Sequence, residues 1–106
     1  MNVFKIKKGD TIPALAVTMQ YANGSPIDLS NGSVFFNMGT NTYSAYMSGL
    51  AVITGSTTGN VEFQWSGSFT GSVGMYFGEF EFINSGSRLT LPNDHSLQIQ
   101  IAEDYN

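Results

Sequence analysis

"MYFGEFEF", residues 75–82, decides the fold. Read at a period of two, it places Tyr76, Phe80 and Phe82 on one face and Phe77, Glu79 and Glu81 on the other. That alternation is the mark of a half-buried β-strand, because successive side chains of a strand point to opposite sides of its sheet. Gly78 falls on the aromatic face, where a missing side chain leaves room for a ring from a facing sheet.

Working outward, the same period recurs along the chain. "VEFQW" (61–65) sets Val61, Phe63 and Trp65 against Glu62 and Gln64, with Trp65 placed to plug one end of a core. "LQIQIAE" (97–103) sets Leu97, Ile99 and Ile101 against Gln98 and Gln100. "LAVTMQY" (15–21) points Leu15, Val17, Met19 and Tyr21 inward, and "SVFFNM" (33–38) does so with Val34, Phe36 and Met38. "VFKIK" (3–7) buries Phe4 and Ile6 and turns its lysines out. The stretch 39–59 reads as a hairpin, with Tyr43, Ala45 and Met47 answered by Ala51 and Ile53.

Turn residues separate these runs: Gly9-Asp10, Asn23-Gly24 with Pro26, Asn31-Gly32, Gly55 to Gly59, Gly67 to Gly74, Asn84 to Gly86, and Pro92-Asn93-Asp94. In the first, Asp10 is placed to accept backbone donors, and Pro13, lacking an N–H, suits a strand start or an edge. Seven or eight short strands punctuated in this way predict one all-β domain over residues 1–106. It is an antiparallel β-sandwich of immunoglobulin-like or jelly-roll-like form.

Composition narrows the function. Of the 106 residues, 11% are charged, against about 25% in an ordinary globular domain, so Ser, Thr, Asn, Gln and Gly build the polar surface. Four basic residues against a net charge of -4 do not make the positive stripe that nucleic-acid binding requires. With no cysteine, disulfides and thiolate zinc sites are excluded. The N-terminus carries no apolar signal core and no run approaches membrane-span length, so neither export nor membrane insertion is expected.

Five motifs in order resemble the N-terminal domain of phage baseplate upper proteins and related tail proteins. They are Gly9-Asp10-Thr11 with Pro13, the segment Asn23 to Leu29, the strand Gly59 to Trp65, the strand Gly74 to Phe80, and Arg88 to Pro92. The chain departs from that pattern in "SGSFTGSV" (66–73), which lacks the acidic residue common there, and in stopping at Asn106 where larger relatives continue. The resemblance implies a β-sandwich that docks into a virion, tail or baseplate, among other virion proteins or copies of itself. The chain is then made in the host cytoplasm. A capsid decoration protein and a carbohydrate- or receptor-binding module are the alternatives.

Catalytic and metal chemistry find little support. His95 sits in "PNDHSL" beside Asp94 and Ser96, and sequence neighbours in a turn do not form a triad. Glu62, Glu79 and Glu81 are able to share a sheet face, yet a carboxylate pair outside a sandwich has no cleft to act in. Asp10, Asp28 and Asp94 lie in different turns without calcium-loop spacing. No enzyme, no cofactor and no metal are expected.

The expected site is a protein interface. Phe35, Tyr46 and Phe77 fall on the parity opposite the core, and exposed large apolar groups mark contact surfaces. Stacking of sugars on exposed Tyr or Trp is the alternative use of such rings. Lys5 and Lys7 share the outward face of the first strand and Lys8 follows in the turn. Such a row guards an edge strand against uncontrolled pairing, and it also gives an otherwise acidic molecule a basic end with which to orient a docking partner.

Overall fold

The computed structural model describes residues 2–40, 47–91 and 97–103. Their nine strands are β1 (Asn2–Lys7), β2 (Leu15–Thr18), β3 (Ser33–Gly39), β4 (Met47–Leu50), β5 (Val52–Gly55), β6 (Asn60–Phe63), β7 (Gly74–Asn84), β8 (Ser87–Leu91) and β9 (Leu97–Ala102). They form two sheets packed as a sandwich. The larger runs β1-β9-β7-β3-β4, with β8 also on β7, and the smaller runs β2-β6-β5. The strand β7 organises the larger sheet. Its first part pairs with β9 from Gly74 to Phe77, its second part with β8 from Phe80 to Asn84, and its other side with β3.

The all-β sandwich is as the alternation predicts, with two differences in pairing. The strand β1 joins β9 in parallel, Phe4 opposite Ile99 and Ile6 opposite Ile101, so the sheet is mostly rather than wholly antiparallel. Alternation fixes which face a residue takes but not the direction of the neighbour, which explains the miss. The stretch 39–59 is not one hairpin either. The strand β4 pairs with β3 in the larger sheet, whereas β5 pairs with β6 in the smaller. The chain changes sheets at buried Ala51, whose N–H donates to the Val34 carbonyl at 2.8 Å. Tyr43 and Ala45 of that expected hairpin lie outside the described residues.

The core is aromatic. Phe36 is fully buried, its ring centroid 4.8 Å from Phe63, 5.0 Å from Phe80 and 5.7 Å from Trp65. Trp65 is buried in this cluster as its parity predicts, stacked on Phe4 at 5.6 Å. Its buried indole N–H has no acceptor among the described residues. Each such ring, taken from water, stabilises the fold by roughly 1.5–3 kcal/mol.

Phe69 joins this cluster, 4.7 Å from Phe63, from a segment that reads only as a turn. The main chain makes that position possible. The N–H groups of Phe69 and Thr70 both donate to the Ser66 carbonyl, folding "SGSFTG" into a compact turn that drops the ring inward. Buried Thr70 then ties this turn to the first one. Its hydroxyl donates to the Asp10 carbonyl at 2.9 Å and its own carbonyl accepts from Gly9 N–H at 3.0 Å. Asp10 thus closes its turn through main-chain groups, its N–H donating to the Lys7 carbonyl at 3.0 Å.

Two glycines admit rings. A β-carbon at Gly49 in β4 would stand 2.9 Å from Phe63 of the facing sheet. A β-carbon at Gly78 would stand 2.9 Å from Phe36, a residue of the adjacent strand β3, so the space there is filled from within the same sheet rather than from across the sandwich.

Candidate docking surface

The outward face of the larger sheet gathers most of the expected interface. The strand β1 lies at one edge of the sheet, with Lys5 and Lys7 exposed on its outer side. Lys8 is exposed in the turn beyond, where its N–H donates to the Ala102 carbonyl at 2.8 Å. In register, Lys5 stands opposite Gln100, and Gln100 opposite Met75; Val3 stands opposite Gln98, and Gln98 opposite Phe77. Lys5 and Met75 are therefore two interstrand spacings apart, about 10 Å, on one face.

Phe77 and Phe35 do face outward as their parity predicts, and both are half-buried. They do not form one patch. Phe35 pairs with Glu81 and Leu50, four residues along β7 from Phe77. Tyr46 lies outside the described residues, as do His95, Asp94 and Ser96. Sequence reasoning missed Val3, Met75 and Leu50, all exposed on this face. The first two share parity with Lys5 and Phe77, so the alternation already placed them outside.

The face is polarised. Lysines occupy the β1 edge, and Glu79 and Glu81 project from β7 further along. Glu79 accepts from Asn37 Nδ2 at 3.3 Å, and Glu81 pairs with Arg88 Nε at 2.8 Å. Because Arg88 is largely exposed, that pair adds little stability and mainly holds the side chains in place. Glu62 belongs to β6 of the smaller sheet, so it does not share a face with Glu79 and Glu81, and the expected carboxylate grouping is divided between the two sides of the sandwich. Among the described residues, no group of three His, Cys, Asp or Glu side chains is placed to hold a metal ion.

A groove of about 400 Å³ lies at the far end of β7 from the lysines. One wall is the loop after β2, where Tyr21 is half exposed although alternation points it inward. The strand ends at Thr18, and the turn that follows takes Tyr21 out of step. Asp28, in the same wall, accepts from Ser30, and the Ser30 side chain first and its N–H second hold the Asp28 carboxyl below the ordinary aspartate range.

No family model matches the chain. No curated protein matches it in sequence. Among solved structures, the N-terminal domain of phage TP901-1 ORF48 is similar, with a TM-score of 0.61 over 97% of this chain and 86% of that chain, at 18% identity. At that identity the likeness is one of fold: the sandwich here resembles a phage protein domain over nearly its full length.

Proposed function

We propose that this chain is a non-enzymatic structural protein of a phage virion, of the tail or baseplate, that docks into a larger symmetric assembly. Docking uses the outer face of the larger sheet at its β1 edge. The lysines orient the approach, and Val3, Met75 and Phe77 supply apolar contact.

The observation that carries this reading is the likeness, over 97% of the chain, to a domain of a phage protein. The order of the five sequence motifs supports the baseplate in particular. The surface is consistent with docking, because exposed apolar groups beside a basic edge give a contact that is both attractive and directional.

Immunogold labelling of purified particles with an antibody against this chain tests the reading. Label at the tail tip supports the baseplate. Label over the head moves the protein to capsid decoration and keeps the docking argument. Particles without label, with the epitope shown accessible, overturn the virion reading.

A further inference from the structure

The groove at the far end of β7 has the chemistry of a ligand site. Its volume, about 400 Å³, falls within the range of small-molecule clefts. Tyr21 and Leu89 provide the accessible apolar surface over a floor of buried Ile27 and Phe82, while Asp28, Asn84 and Ser87 supply a carboxylate, an amide and a hydroxyl.

Its walls are built from tight turns, so the backbone that carries these groups is fixed before any ligand arrives. Tyr21 donates its N–H to the Ser25 carbonyl at 2.8 Å and accepts from Gly24 N–H at 2.9 Å. Across the groove, Asn84 and Ser87 pair at the base of a two-residue hairpin turn whose central residues, Ser85 and Gly86, both have positive φ. The backbone then adds little to the ordering that opposes binding.

The charges select the ligand class. Arg88 borders the groove, but its guanidinium is drawn to Glu81, which lies on the outer face of the sheet. Asp28 keeps a negative charge that repels anions. A neutral polyol suits such a set: its hydroxyls donate to a carboxylate and exchange hydrogen bonds with an amide, and the C–H face of a pyranose packs on an aromatic ring.

We infer that this groove is a subsite for a neutral pyranose, packed on Tyr21 and hydrogen-bonded by Asp28 and Asn84. It is roughly 30 Å, nine residues of β7, from the row of Lys5 and Met75. A domain docked by its lysine edge therefore leaves the groove open. The site is a property of the isolated chain and stands or falls apart from the virion reading.

An NMR titration of the labelled full chain tests it, with glucose, galactose, rhamnose and N-acetylglucosamine as probes and choline as a cationic control. At least one sugar is expected to shift the amides of Tyr21, Ile27, Asn84 and Ser87 in fast exchange. Tyr21→Ala is expected to weaken that sugar at least tenfold while the rest of the spectrum stays folded, and Tyr21→Trp to retain binding. Absence of groove shifts with all four sugars overturns the proposal. So does a response to choline alone, or binding unchanged in Tyr21→Ala.

Discussion

Phe36 fills the space that a side chain at Gly78 would need: a β-carbon there would stand 2.9 Å from its Cε1 and 3.0 Å from its Cζ. Both residues face the core, on adjacent strands, Gly78 opposite Met38 and Phe36 opposite Phe80. The ring cannot swing aside freely because Phe63, Trp65 and Phe80 pack around it. Gly78→Ala is therefore expected to overpack the core and destabilise the domain by about 1–3 kcal/mol, a fall in melting temperature on the order of 10 °C. Phe36→Leu destabilises by itself, but the double variant is expected to lose less than the sum, which thermal denaturation of the four proteins measures.

Thr70 is a buried polar residue with a defined task. Its hydroxyl bond to the Asp10 carbonyl joins two turns sixty residues apart. Thr70→Val keeps the shape and removes the donor, so a destabilisation of about 1–2 kcal/mol is expected, with Thr70→Ser closer to the parent. Chemical denaturation gives the comparison directly.

Asp28 predicts an acid-side effect. Its folded pKa is lowered, first by the Ser30 side chain and then by the Ser30 N–H. A lowered carboxyl contributes stability above its unfolded pKa, and that contribution disappears as pH falls through the folded value. Carbon NMR of the side-chain carboxyl is expected to show Asp28 titrating below the ordinary aspartate range, and Ser30→Ala is expected to move it upward.

The docking face separates stability from assembly. Lys5 and Met75 are exposed, so Lys5→Glu and Met75→Glu are expected to change stability by no more than about 0.5 kcal/mol. If the face docks, the same variants enter particles poorly. Quantitative mass spectrometry of purified particles, beside melting curves of the free proteins, reads both quantities.

The sequence made the layers legible and left the connections obscure. Alternation placed Val34, Phe36, Phe63, Tyr76, Phe80 and Ile99 in the core, because a half-buried strand repeats its demand every second residue. It could not show that β1 runs parallel to β9, since pairing direction depends on residues more than ninety positions away. It missed Phe69 because Gly and Ser around it read as a turn, and the turn itself delivers the ring to the core. Tyr21 was misplaced for the converse reason: period two holds only while the strand lasts. At the surface, parity identified Lys5, Phe35 and Phe77 as outward but could not say that Phe35 stands apart from the other two.

Lysine cross-linking of intact phage particles that contain the chain, read by mass spectrometry, tests the central claim most directly. The chain has only three lysines, all at the edge proposed to dock. The account predicts that Lys5, Lys7 or Lys8 is linked to another virion protein or to a second copy of the chain, and that Met75→Glu, which leaves all three amines in place, lowers the yield of those links per copy of the chain. Particles that contain the chain with all three lysines fully reactive to a water-soluble acylating reagent and linked to nothing would contradict docking through this edge.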